Sequence, residues 1–269
     1  MPSAIAISVV LPALNEAANI EHTIQAVMNY MSDRHDSYEI DYEIIVVNDG
    51  STDATADILK GLSQTNPRLQ VVTHSKNLGY GSALRSGFDL AVFEYIFLMD
   101  SDRQFDIADL DRFLPQLEIN KELILIGYRQ KRADPIMRSL NAKAYHLFIQ
   151  VLFGLSVKDM DCAFKLFPRR AYLDIQPVKA NGALFSGELL IKWQLAGFKR
   201  IEIPVRHFPR RFGVQTGANL GVILKMFKEC WQLKQNLHSE TKNSVSRNSL
   251  NPIEACHTIG HKPHPLIKP

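Results

Sequence analysis

The sequence predicts an α/β fold, a mostly parallel sheet flanked by helices, and three observations predict it. Short β-branched runs alternate with stretches of helical apolar spacing through the first half of the chain. The connections between them are short, as right-handed βαβ crossovers require. The strand runs end in polar clusters, and ligands of open parallel sheets bind outside those carboxyl ends.

Taken in order, Ile5 to Leu11 (IAISVVL) is a continuous apolar run closed by Pro12, the pattern of a strand buried on both faces. From Ala17 onward Ile20, Ile24, Val27 and Met31 recur at helical spacing, with Asn15 and Glu16 where a cap and a first-turn acid belong. Ile44–Val47 is a second strand ending in Asn48-Asp49-Gly50-Ser51. A helix over Asp53–Leu62 follows, with Ser51 or Thr52 expected as its cap. Leu69–Thr73 reads as a third strand and Ser82–Leu90 as a helix. Tyr95–Met99 is a fourth strand delivering Asp100, Ser101 and Asp102, and Leu123–Ile126 a fifth. The second half carries apolar, helical stretches at Ala144–Leu155, Gly187–Leu195 and Leu220–Leu233. Residues 236–269, rich in Ser, Asn, His and Pro without apolar period, are expected to be a disordered tail behind one folded unit over 1–235.

Composition excludes several classes. With 46% hydrophobic and 22% charged residues in 269, the chain is neither collagen nor coiled coil nor wholly disordered. No apolar run approaches the roughly 18–20 residues of a membrane-spanning helix, and MPSAIAISVV lacks the basic start of a signal peptide, so a cytoplasmic protein is expected. Cys162, Cys230 and Cys256 are too dispersed for a disulfide framework or a CxxC metal site. Thirty-one basic against 28 acidic residues is too balanced a charge to name nucleic acid as a partner.

The most informative motif is Asp100-Ser101-Asp102 with Gln104 close behind. Two carboxylates one residue apart at a strand end can ligate a hard divalent cation, whose remaining positions go to water and a diphosphate. The same residues also suit an Asx-rich turn capping the helix near Ile107. Asp49 and Glu16 end the neighbouring strands, so at least four carboxylates converge on one rim, where structure alone gains nothing from their repulsion. Gly79-x-Gly81 follows the third strand and lacks the spacing of a dinucleotide fingerprint.

In order and spacing, VVLPALNEAANI, IIVVNDGSTDAT, NLGYGSALRSGF and FLMDSDRQF resemble the nucleotide-sugar half of a family 2 glycosyltransferase of GT-A fold. DMDCAFKLFPRR and PVRHFPRRFG are similar to the dolichol-phosphate mannose synthase and polyprenyl-phosphate glycosyltransferase branch. The resemblance spans about residues 5–230. It implies a nucleotide-sugar half over about 1–128 and an acceptor half over about 129–235. It implies nucleoside contacts from Pro12, Asn15, Glu16, Asp49 and Ser51, and a nearby loop carrying Asn77, Gly79 and Gly81. A metal and diphosphate site would use Asp100, Asp102 and Gln104, with Mg²⁺ or Mn²⁺ as cofactor.

Arg129, Arg132, Lys165, Arg210 and Arg211 form a second constellation, which the resemblance sets near a lipid-phosphate acceptor; each alone also suits a solvated basic surface. Asp159 and Asp161 flank it, where a carboxylate orients or deprotonates an acceptor or forms ion pairs with Lys158 or Lys165. Glu188 reads as a first-turn helix acid, Cys162 as a packed small hydrophobe and His207 as a structural residue. Cys256, His257, His261 and His264 lack a scaffold to fix metal geometry. The resemblance thus implies metal-dependent, inverting transfer from a GDP- or UDP-linked sugar to polyprenyl phosphate at a membrane surface, by a peripheral protein whose oligomeric state is left open. The alternatives are transfer to a soluble or protein-bound glycan, and a nucleotide-binding protein without turnover. Leu220, Ile223, Leu224, Phe227 and Trp231 are the residues expected to touch the membrane.

Overall fold

β1 (Ile5–Ala13) and β2 (Ile40–Asn48) pair in parallel over their whole length and are buried nearly throughout. That burial follows from their unbroken Val/Ile runs, because a strand covered by helices on both faces has no side to give to water. A computed structural model describes residues 5–33, 39–130, 136–182, 184–210, 212 and 229–237, with the backbone alone over 136–144. β3 (Leu69–Thr73) and β4 (Tyr95–Met99) extend the parallel sheet on either side. β5 (Ile124–Arg129), β6 (Phe164–Pro168) and β7 (Arg200–Val205) complete seven strands in the order β3-β2-β1-β4-β6-β5-β7. β6 alone runs antiparallel, wedged between β4 and β5, while β7 lies parallel to β5 at the edge. Neither β6 nor β7 is expected from the sequence.

The helices α1 (Ile20–Asp33), α2 (Thr55–Thr65) and α3 (Tyr80–Leu90) make the crossovers of the first half. α4 (Leu114–Ile119), α5 (Ile136–Phe153), α6 (Arg169–Leu173) and α7 (Leu184–Leu195) serve the second. They bury two apolar layers, one on each face of the sheet. α3 lies close because residue 87 is glycine: a Cβ there would stand 2.4 Å from Val10 Cγ1. Phe88 beside it meets Phe167 and Tyr172 edge-on at 5.4 and 5.2 Å, joining the first half to the second.

Two local expectations are corrected. The cap of α2 is Ala54, without a side-chain bond, rather than Ser51 or Thr52; Asp53 Oδ1 instead accepts from the Thr55 amide, and both expected caps face the β1 loop. α1 begins at Ile20, since Asn15 and Glu16 belong to that same loop. A helical stretch over 229–237 includes Trp231 and Leu233, whereas 220–228 and 238–269 lie outside the described residues.

Candidate active site

The carboxyl ends of β1 to β4 make one rim, and its first two loops are stitched together. Asn15 N donates to Ser51 Oγ (2.9 Å), Thr52 N to Asn15 Oδ1 (2.8 Å) and Glu16 N to Thr55 Oγ1 (2.9 Å). Asn15 adopts φ 57°, which asparagine tolerates better than most residues. Glu16 is buried, and that burial raises its pKa against the opposing pull of Asn19 Nδ2 (2.7 Å) and Arg210. Asp49 is held from three sides, by Leu78 N and Gly79 N at 2.9 Å each and by His74 Nδ1 at 2.7 Å. Asn77 Oδ1 accepts from Gly79 N as well, so the 77–79 loop is built on side-chain acceptors.

The Asp100–Gln104 turn is pinned from below. Ser101 Oγ donates to Pro12 O (2.6 Å), and Ser101 O accepts from Thr23 Oγ1 (2.9 Å). Arg103 at φ 63° and Asn15 are the positive-φ residues other than glycine among the described residues, one in each rim loop; backbone held there argues for a geometry imposed by its surroundings. Asp100 Oδ1 accepts from Tyr80 OH at 3.0 Å. Burial, then the neighbouring Asp102, pushes the Asp100 carboxyl up to about 7. Two carboxylates crowded this closely are the chemistry a hard divalent cation relieves. The residues fit that group, and Asp100 and Asp102 are the pair that would hold it. No group of three or more His, Cys, Asp or Glu side chains among the described residues is arranged for a metal, so water or ligand oxygens would complete its shell. Gln104 turns elsewhere: its Nε2 donates to Phe208 O (3.0 Å), Phe208 N donates to Gln104 O (2.9 Å), and its own amide donates to Asp102 Oδ1 (3.0 Å).

The basic constellation does not gather in one place. Arg129 is bidentate to Asp159, Nε–Oδ2 2.6 Å and Nη2–Oδ1 2.8 Å, and both side chains are buried. Lys165 is fully buried, its ammonium donating to Met160 O (3.2 Å) and to Cys162 O. Burial lowers its pKa, and the nearby Cys162, Asp161, Asp159 and Asp100 oppose this. Arg210 reaches the same rim, paired with Glu16 and 3.5 Å from Asp102 Oδ2. The segment carrying it is anchored by Arg206, which holds the buried Asp109 through Nε (2.9 Å) and its amide (2.6 Å). Asp161 is partly exposed, 3.6 Å from His146 Nε2. Glu188 is a buried acid in α7, accepting from Lys179 N and Ala180 N and paired with Lys192 at 3.3 Å, which corrects its reading as a first-turn acid. Cys162 is fully buried, and that burial pushes its thiol up to about 12.

Pro12, Asn15, Glu16, Asp49, Ser51, Asn77, Gly79, Asp100, Asp102 and Arg210 thus share one rim. Arg129, Asp159 and Lys165 make a charge cluster behind it, and Arg132 and Arg211 lie outside the described residues. His74 and Tyr80 belong to the rim and are not singled out in the sequence, where Ser101 stands only as the middle of the DSD motif. His74 follows β3 directly, and that position at a strand end is the signal that could have found it.

The model of glycosyl transferase family 2 matches residues 8–175. A dolichyl-phosphate beta-glucosyltransferase of Trichomonas vaginalis is 30% identical over 216 residues, 76% of this chain and 64% of that protein. A namesake from Saccharomyces cerevisiae is 31% identical over 220 residues, 73% of this chain and 64% of that one. A dodecaprenyl-phosphate galacturonate synthase of Rhizobium johnstonii is 30% identical over 214 residues, 77% and 60% of the two. This chain therefore spans about three fifths of the length of these relatives. Glucosyl-3-phosphoglycerate synthase from Mycobacterium tuberculosis, solved with Mn²⁺, UDP-glucose and glycerol 3-phosphate, superposes with TM-score 0.61 at 20% identity over 86% of this chain and 80% of that one. That likeness shows the fold, a GT-A fold.

Proposed function

This chain belongs to glycosyl transferase family 2, and on that premise we propose that it transfers a sugar, with inversion, from a nucleoside diphosphate sugar to a polyprenyl phosphate. The observation that carries the reading is the pair Asp100 and Asp102 at the end of β4, the first half-buried and the second buried, on one rim with the buried Glu16 and Asp49. A divalent ion held by that pair would supply charge neutralisation on the departing diphosphate. The chain's own residues do the rest. Asn15, Glu16 and Ser51 offer the polar edge against which a nucleoside is held, and the 77–79 loop closes one side. Arg210 brings a guanidinium within reach of the diphosphate oxygens. The acceptor phosphate oxygen attacks the anomeric carbon as the bond to the diphosphate breaks on the opposite face, which inverts that carbon. A phosphate is already anionic near neutral pH, so no strong base is needed. Asp159 would make a poor one, locked as it is to Arg129; Asp161, with its open side, is the accessible carboxylate of the acceptor half.

The acceptor class is supported by the relatives named for dolichyl and dodecaprenyl phosphate. No helix among the described residues is long and apolar enough to cross a membrane. Leu147 and Val151 on α5 and Trp231 beyond it are large exposed apolar groups, 61, 78 and 57% accessible, and suit peripheral contact with a bilayer. The test is calorimetry with UDP-glucose and GDP-mannose, with Mn²⁺ or with EDTA, followed by transfer of labelled sugar to polyprenyl phosphate in liposomes. Metal-dependent binding with transfer to the lipid is expected. Transfer to soluble acceptors alone would replace the lipid reading by a soluble-glycan one.

A further inference from the structure

Three groups tie one end of the rim to the other. His74 stands one residue beyond β3 with its side chain 9% exposed. Its Nδ1 lies 2.7 Å from Asp49 Oδ1 and its Nε2 lies 2.9 Å from Ser86 Oγ on α3. An ionised carboxylate can only accept, so Nδ1 carries the proton, and in the neutral ring Nε2 accepts from the Ser86 hydroxyl. Asp49 then uses one oxygen on Leu78 N and the other on Gly79 N. Gripping two consecutive amides fixes the loop at Gly79, whose φ of +100° and closeness to Asn181 O (2.5 Å from a built Cβ) leave no room for another residue. The next side chain is Tyr80, which donates to Asp100.

We infer that His74 is a positioning residue for donor binding, because it sets the plane of the Asp49 carboxylate, on which the 77–79 loop and the aim of Tyr80 at Asp100 depend. The inference rests on the reading of this rim as a nucleotide-binding site. Asp49 has its acceptor capacity largely occupied within the protein, so it acts through the loop it builds. Without the imidazole, the carboxylate keeps one amide on each oxygen but loses the side chain that fixes its plane against α3. That loosens the segment between the nucleoside side of the rim and Asp100. An outer group orienting an inner one is the usual reason such partners cost affinity when lost.

The experiment compares His74→Asn, His74→Gln, His74→Leu and Ser86→Ala, with UDP and GDP in the presence of Mn²⁺ as probes, calorimetry for affinity and circular dichroism for folding. Asparagine Nδ2 reaches roughly where ring Nδ1 stood and should keep Asp49 in place. Glutamine reaches the Ser86 side instead. His74→Asn should bind whichever nucleotide the wild type binds within about threefold, while His74→Leu and His74→Gln should weaken it about tenfold or more. In turnover the loss should appear in the donor KM with kcat within about threefold. Ser86→Ala, one step further out, should cost about twofold to threefold. A folded His74→Leu or His74→Gln that binds as tightly as His74→Asn would overturn the inference, and the glutamine variant decides it if the leucine variant does not fold. Wild-type protein that binds neither nucleotide would remove the nucleotide reading itself, a result separable from an indifferent His74.

Discussion

The donor rim and the β5–β6 region both bury charge, and they balance it in different ways. Behind the rim, Arg129 is matched by Asp159 and Lys165 by two carbonyl oxygens, as Lys192 is matched by Glu188 within α7. On the rim, three carboxylates stand together: Glu16 and Asp102 meet Arg210, Asp100 accepts from the Tyr80 hydroxyl, and Arg129 and Lys165 act on Asp100 through space. A matched buried pair has little left to offer a ligand. Carboxylates crowded together have a field that a cation would complete, so on the reading proposed above the crowding of like charge, more than burial, distinguishes the rim from the scaffold.

Breaking a matched pair should therefore damage the fold, and breaking the crowded set should damage binding. The largest effect is expected for Asp159→Ala, which takes the bidentate carboxylate away from a guanidinium that is 8% exposed. Stability should fall by about 3–5 kcal/mol, read as a drop in denaturation midpoint with an unchanged m-value. The double variant Arg129→Met with Asp159→Leu should recover most of it, since apolar replacement of a buried pair is often neutral. A mild, purely kinetic phenotype for Asp159→Ala would show the pair to be functional after all. Next comes Asp102→Asn, expected to leave the melting temperature of the metal-free protein within a few degrees while weakening Mn²⁺-dependent nucleotide binding about 100-fold, roughly the 2.7 kcal/mol of two decades. Equal affinity with and without EDTA in the wild type would sink the metal assignment.

Arg210 belongs to the acceptor half by sequence and to the donor rim by contact. Its removal tests which membership governs. Arg210→Ala is expected to weaken nucleotide diphosphate binding about tenfold, in line with a charge-assisted contact of roughly 1.4 kcal/mol. A variant that binds the donor as the wild type does, yet turns over slowly with lipid phosphate, would return Arg210 to the acceptor.

The same contrast explains what the sequence made legible. β1 to β4 and their helices come from local alternation, and the DSD turn follows from a polar motif at the end of an apolar run. β6 is five residues with Lys165 second and Pro168 last, and its partners β4 and β5 are brought to it by the fold. β7 (RIEIPV) interleaves charge with apolar residues and carries Pro204, as an edge strand can. Its helical neighbours hide so short a run. The Arg129–Asp159 pair joins residues 30 apart, and nothing in either local pattern distinguishes an arginine that holds a phosphate from one that holds an aspartate. Ser51 failed as a cap for the same reason: a partner from another loop outcompeted the local amide.

The smallest effect concerns pH and is the sharpest probe of that crowding. The folded state holds the Asp100 carboxyl near 7 against an ordinary 3.8, burial being the first cause and Asp102 the second. Folding therefore takes up a proton between those values, and without metal stability should fall as pH rises from about 4 to about 7. Asparagine keeps an oxygen for Tyr80 and carries no charge, so Asp100→Asn should match the wild type near pH 4 and exceed it at pH 8. Because the rim can relax around the charge, the gain should be on the order of 1 kcal/mol. Adding Mn²⁺ at pH 8 should reverse the order, raising the wild-type melting temperature and leaving the variant's where it was. A metal-free Asp100→Asn protein less stable than wild type at pH 8 would mean that the carboxylate is satisfied without a cation. The donor rim would then be as balanced as the region behind it.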